Sequence, residues 1–330
     1  MAITAGSVRM GNKYNVAIQE WGASIWDDAW NSPAGTTAAR WLTCLDISSR
    51  NSESAAQPFS TMTSQACRGL HFRDPAYLHW AGILGFGPYW HRKFWEWAVI
   101  LETADICGLL APGKRAIGFG VGLEPISAVL ASRGVEVVAT DMPVGEEQAG
   151  VWAAGSQHAD SIESMQFPEI CDPQTFRDNV KFMPLDMNHL PPTLGNGTFD
   201  FAWSSCVVEH LGSPTLGMDF VVDCARLLAP GGVMVHTTEY ELLSKESTKD
   251  YGHCAIFRPE DLTAVAQTLR AKGLEVTLDL NVSLATPEDR WISTALAGYN
   301  DGFVEPAHLR LVIGRSVSTS YSIVVRRTGV

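Results

Sequence analysis

From Lys114 onward the chain alternates short apolar runs with helix-patterned stretches, and this alternation narrows the fold more than any other feature. Strands and helices taken in turn give parallel strands joined by crossover helices, hence a sheet covered on both faces. The pattern predicts strands at 115–119 ("RAIGF"), 135–140 ("VEVVAT"), 180–184 ("VKFMP"), 199–203 ("FDFAW"), 232–237 ("GVMVHT"), 274–280 ("LEVTLDL") and 320–327 ("SYSIVVRR"). Helices are expected in "EPISAVLASRG", around Glu146 to Gln157, in "PTLGMDFVVDCARLL" and in "RPEDLTAVAQTLRAKG". The last has Pro259 in its first turn, Glu260 and Asp261 at the positive end of its dipole, and Gly273 just past its end. Residues 281–318 read as an insertion before the final strand.

The first of these strands runs through Gly118, Gly120 and Gly122 into a helix opened by Pro125. Bare backbone at such a strand-to-helix turn lets a ligand approach closer than any Cβ allows, and the helix start offers free N–H groups. A phosphate-cradling loop needs Gly-Lys-Ser/Thr five residues after its first glycine, where this chain has Leu123 and Glu124. The dinucleotide fingerprint would put its third glycine at Leu123 or Pro125, and neither fits. Glu124 would also repel a pyrophosphate, yet it would tolerate a ligand carrying an ammonium and a sulfonium.

The run "GFGVG" resembles the G-x-G-x-G motif of class I S-adenosylmethionine (SAM)-dependent methyltransferases. "VVATDMP", "PLDMNHLP", "FDFAWSSCVVEHLG" and "LLAPGGVMV" are similar to that family's segments at the second to fifth strands, in the correct order. The resemblance implies a three-layer Rossmann-like α/β fold, with a seven-stranded sheet in the order 3-2-1-4-5-7-6 and strand 7 antiparallel. It implies SAM as cofactor, with Gly118, Gly120 and Gly122 beneath it and Asp141 on the ribose hydroxyls. Asp186 would meet the adenine amine, Met187 would pack beside the ring, and Ser204 would lie on the cofactor side.

The first 113 residues have a different texture, with eight of the eleven tryptophans and several turn clusters. They are read as a mainly helical cap, 1–113, on a methyltransferase domain at 114–330. One helix stands out in the cap: Trp90, Phe94, Trp97, Leu101 and Ala104 share a face. It is expected to wall the substrate site or to join two copies of the chain as a homodimer. It would aim His91, Arg92 and Trp95 at the ligands, Arg92 as a clamp on the cofactor's carboxylate.

Charge excludes some partners. The net charge is −12, and residues 1–100 carry 8 Lys+Arg against 7 Asp+Glu, which leaves 16 against 29 for the remainder. An acidic body without a basic run repels a phosphate backbone, so nucleic acid is excluded and a small molecule is expected. The seven cysteines are scattered without a C-x-x-C pair and read as reduced thiols, with no metal expected. The opening residues lack a leader pattern and no apolar run approaches about 18 residues, which points to the cytoplasm and away from membranes.

The expected reaction moves a methyl group to a small polar metabolite. An oxygen acceptor, favoured over nitrogen, sulfur or carbon because histidines are near, would need a base at the carboxyl ends of the strands. The candidates are His210 and Glu239, with His236 and His253 behind them. Strand alternation makes His236 equally a core residue. Two other classes share these features: a nicotinamide-dependent oxidoreductase, and a SAM-binding protein without catalysis.

Overall fold

The computed structural model describes residues 57–86, 89–143, 158–242, 249–250, 254–293, 307–313 and 316–329. The helix expected around Glu146 to Gln157 lies outside them, as do His253 and Cys44. β2 (Arg115–Phe119) is central because both of its edges find parallel partners, β3 (Glu136–Asp141) and β5 (Phe199–Ser205). Four of its five residues are buried, as a strand covered on both faces requires. β4 (Val180–Pro184) adds outside β3, and β6 (Leu228–Glu241) outside β5, again in parallel. β10 (Ser316–Arg327) then runs antiparallel to β6. The order β4-β3-β2-β5-β6-β10 is the expected 3-2-1-4-5-7.

The crossover helices are α3 (Ile126–Ser132), α4 (Pro173–Asn179), α5 (Pro214–Cys224) and α6 (Pro259–Ala271). Local chemistry fixes where they start. Asp172 accepts from the Gln174 and Thr175 N–H groups and Ser213 from that of Leu216, each satisfying donors that a first helical turn leaves open. Gly273 ends α6 with φ +82°, a left-handed conformation that favours glycine.

The far edge of the sheet departs from expectation. The sixth strand is split into β7 (Leu274–Glu275), which pairs with Arg326 and Arg327 of β10, and β8 (Thr277–Leu278), which does not touch that ladder. Between them enters β1 (Thr63–Ala66), whose Gln65 and Ala66 pair with Ser322 and Tyr321 of β10. A strand edge offers one row of N–H and C=O groups, so the incoming strand pushes β8 outward onto its own free side. β9 (Arg310–Ile313), from the end of the predicted insertion, takes the last stretch at Ser316–Ser318. Both the N-terminal region and the insertion therefore supply sheet strands, so the former is more than a helical cap.

α1 (Pro75–Leu84) and α2 (Arg92–Ile106) follow β1. The sequence gives α2 one apolar face, but every residue from Phe94 through Ala104 is buried. A helix covered all round sits inside the molecule: α2 packs between α1 and the strands β5, β6 and β10. Trp95 and Trp97 are fully enclosed, at roughly 1.5–3 kcal/mol of burial each. The aromatic stripe is thus core, and it is not available as the expected face for a second copy. Among the described residues no helix is long and apolar enough to cross a membrane.

Candidate active site

The turn after β2 places Gly120 and Gly122 at φ +55° and +50°, conformations that L side chains rarely adopt. The Gly122 N–H donates to Oδ2 of Asp141 at 3.1 Å, and the Ala159 N–H donates to the same oxygen at 3.0 Å. Among the described residues Oδ1 accepts from the Met142 N–H alone, at 2.8 Å, which leaves it room for another donor. Burial pushes the Asp141 carboxyl up while these N–H groups pull it back. The turn and the buried carboxylate at the tip of β3 are thus one hydrogen-bonded unit, and an open acceptor position beside bare backbone suits a sugar hydroxyl.

The sequence reading gave all three glycines to the ligand, and the structure divides them. A Cβ on Gly118 would fall 2.3 Å from Cζ2 of Trp203, and one on Gly120 would fall 2.8 Å from both methyls of Val207. Gly118 therefore makes room for an indole of the neighbouring strand and Gly120 for the loop after β5. The chain's own packing explains two of the three.

Asp186 holds its own loop. Oδ1 accepts from the Asn188 N–H at 2.9 Å, Oδ2 lies 2.6 Å from Nδ1 of His189, and the side chain is half exposed. Met187 is buried in the core cluster of β2 and β5. Ser204 is fully buried and its hydroxyl pairs with Nδ1 of His236 at 2.8 Å, so it faces the covering layer rather than the cofactor.

Arg92 is not a clamp for a cofactor carboxylate. Its guanidinium, 2% exposed, is paired with Glu239, lies 3.9 Å from Glu96 and donates to Ser320 Oγ at 3.1 Å. Glu239 is the other end of that buried pair, and its Oε2 accepts from Ser318 Oγ at 2.6 Å. With both oxygens engaged, Glu239 is a poor proton acceptor. Glu124, at the start of the helix after the glycine turn, is paired with Lys93 at 2.9 Å. Lys93 also donates to the Ser205 carbonyl at 3.1 Å, tying α2 to the glycine turn and to the end of β5. Burial pulls Glu96 toward its neutral form, but Lys93 and Arg92 outweigh it and hold the carboxyl below its usual range.

The histidines separate clearly. His236 is wholly buried, edge-on to Phe220, and burial pushes it down to about 3, so it is a neutral core residue. His91 caps α2, accepting from the Lys93 N–H, and stacks on His308. Burial holds it well below the usual imidazole range. His210 ends the 3₁₀ turn Val208–His210 beyond β5 and is half-buried. Sequence reasoning missed Lys93, Glu96, Cys206 and Glu209 as members of this cluster. The visible signal for the first two was the pair of charges inside the aromatic run "HRKFWEW".

Fold and turn together define a Rossmann-like methyltransferase domain in which the β2 turn is hydrogen-bonded to the tip of β3. Residues 117–236 match a family model described as a methyltransferase domain. That part of the chain is a class I SAM-dependent methyltransferase domain, with SAM as its cofactor. Solved structures similar to the chain include 1,6-didemethyltoxoflavin-N1-methyltransferase from Burkholderia thailandensis, at 16% identity over 71% of this chain and 76% of that one, TM-score 0.38. Another is phosphoethanolamine N-methyltransferase 2 from Haemonchus contortus, at 14% identity over 76% and 56%, TM-score 0.42. A third is an arsenic(III) SAM methyltransferase from Chlamydomonas reinhardtii, at 18% over 66% and 64%, TM-score 0.36. Likenesses this remote bear on neither substrate nor site residues. No curated protein matches the chain.

Proposed function

We propose that the protein methylates a small polar metabolite at the crevice between the glycine turn and Asp141. The observation that supports this best is the buried Asp141 carboxylate, held by the Gly122 N–H and keeping an acceptor position open on Oδ1. When bound, SAM supplies an electrophilic methyl on sulfonium sulfur, and the protein's task is positioning and exclusion of water. Asp141 would hold the ribose diol, Gly122 would admit the sugar, and Met187 would wall the adenine. Asp186 would serve the adenine amine through lone pairs that its own loop leaves unused.

The described part of the N-terminal region, through α2, reaches the carboxyl ends of β5 and β6 and the amino-terminal half of β10, where an acceptor would enter. An oxygen acceptor needs a base, and the residues first considered are largely committed elsewhere: His236 to the core and Glu239 to Arg92. For an oxygen acceptor the residue proposed is His210, from its place at the end of the turn beyond β5.

Calorimetry with SAM tests the cofactor reading. For Asp141→Ala the expected loss of affinity is about 2–3 kcal/mol, the worth of one or two charge-assisted hydrogen bonds. An unchanged affinity in a folded variant would remove Asp141 from the site. NAD should give no protection against unfolding, and protection by NAD would favour the oxidoreductase instead. Formation of S-adenosylhomocysteine with a metabolite extract separates an enzyme from a protein that only binds SAM.

A further inference from the structure

Glu209 is the middle residue of the turn beyond β5 and is 1% exposed. Its Oε2 accepts from Thr238 Oγ1 at 3.0 Å, while Oε1 has no hydrogen-bond partner among the described residues. Burying a carboxyl oxygen unpaired costs roughly 1–3 kcal/mol or more, so it calls for an explanation.

The neighbouring charges sharpen the point. Glu239 has Arg92, Glu96 has Lys93 at 3.3 Å and Arg92 at 3.9 Å, and Glu124 has Lys93 at 2.9 Å. Two cations are thus shared among three carboxylates, and Glu209 is a fourth that neither reaches. The turn that carries it packs against the glycine turn, because Val207, two residues before it, lies against Gly120. Donor atoms of Glu209, Glu239 and Cys206 lie within 4.8 Å of one another.

A metal ion is a poor occupant of this cluster. Both oxygens of Glu239 are engaged, by Arg92 and by Ser318, and the Cys206 thiol donates to Glu96 at 3.0 Å. Burial holds that thiol well above its usual range, and a metal would face the Arg92 guanidinium. A single ammonium N–H directed at one open oxygen asks for none of these groups to move.

Resting on the methyltransferase reading, we propose that the methyl acceptor is an amine that arrives as an ammonium ion, seats an N–H on Oε1 of Glu209 and gives that carboxylate its proton. One N–H bond breaks, one O–H bond forms, and the nitrogen is left with the lone pair it needs. That pair forms the bond to the methyl carbon as the carbon–sulfur pair withdraws onto sulfur, so the positive charge passes from sulfur to nitrogen. Burial and the Glu239 charge push Glu209 up to about 8, far nearer an ammonium than an exposed carboxyl of about 4.3 is. Proton transfer is correspondingly less uphill.

The test incubates the full-length protein with methyl-13C SAM and a metabolite extract, in one portion untreated and in another with its amines acetylated. The expected product carries an N–13CH3 group by carbon chemical shift and disappears from the acetylated portion. An O–13CH3 product, or one that survives acetylation, overturns the amine assignment and leaves the methyltransferase standing. Failure of SAM to bind in calorimetry overturns both.

With the amine so identified, Glu209→Gln should raise its KM about 30-fold or more while SAM affinity stays within about 3-fold, and Glu209→Asp should recover part of the loss. Calorimetry of amine binding near pH 7, in buffers of different ionisation enthalpy, should show release of about one proton, absent in Glu209→Gln. An unchanged KM, unchanged proton release, or stoichiometric zinc in the purified protein would each overturn the role of Glu209.

Discussion

The same carboxyl should be visible in stability, with no ligand present. In the folded protein Glu209 sits at about 8, and in the unfolded chain at about 4.3. Between those values the folded state holds a proton that the unfolded state has lost, so stability falls as pH rises through this window and levels off above it. The limiting slope is about 1.4 kcal/mol per pH unit, and from pH 5.5 to 7.5 the integrated loss is on the order of 2–3 kcal/mol.

Of the groups facing Glu209, Arg92 stays charged, Glu96 is held below 4.5 and Cys206 stays a thiol, so none of these three titrates in that range. Three buried imidazoles, His71, His91 and His236, act in the opposite sense: their folded values are depressed, and stability is lost as pH falls below about 6.5. They are common to the wild type and to Glu209→Gln, and cancel in the difference. Urea denaturation of both proteins at pH 5.5, 6.5 and 7.5 should therefore show the variant gaining on the order of 2–3 kcal/mol on the wild type across the series. A difference flat to within about 0.5 kcal/mol would mean that Glu209 is ionised in the folded protein, and the reasoning from its missing cation would fail.

Arg92→Met should cost about 3–5 kcal/mol in denaturant unfolding, because it strands Glu239 while Glu96 keeps only Lys93, and adding Glu239→Gln should restore part of it; a loss under about 1 kcal/mol would show the pair to be dispensable. Gly118→Ala drives a methyl into the Trp203 ring, so a loss of about 1–3 kcal/mol with red-shifted tryptophan emission is expected, and an unchanged melting temperature would refute that packing. Ser204→Ala leaves Nδ1 of His236 without its partner and should cost about 1–3 kcal/mol while SAM affinity holds; a selective loss of SAM binding would return Ser204 to the cofactor.

Order along the chain was legible without coordinates, because local pattern carries it. Strand and helix periods, the turn at Gly118 to Gly122 and the Pro259 and Gly273 ends of α6 depend on neighbours in sequence, whereas the sheet order up to β10 was what the family resemblance implied and α4 went unread. What the side chains meet depends on partners far away in sequence. No periodicity tells that β1 displaces the sixth strand, since Gln65 and Ser322 are brought together only by the folded sheet.

The same holds at the site. Asp141 could be placed because it ends a strand, whereas the role of Arg92 turned on Glu239, 147 positions away, and that of Gly118 on an indole from β5. The sequence by itself determined where the strands, the helices and the glycine turn fall along the chain, because these follow from short-range spacing. The tertiary structure alone decided which buried charges are compensated, because compensation is set by distance in space, and it left Glu209 as the one of the four clustered carboxylates without a cation.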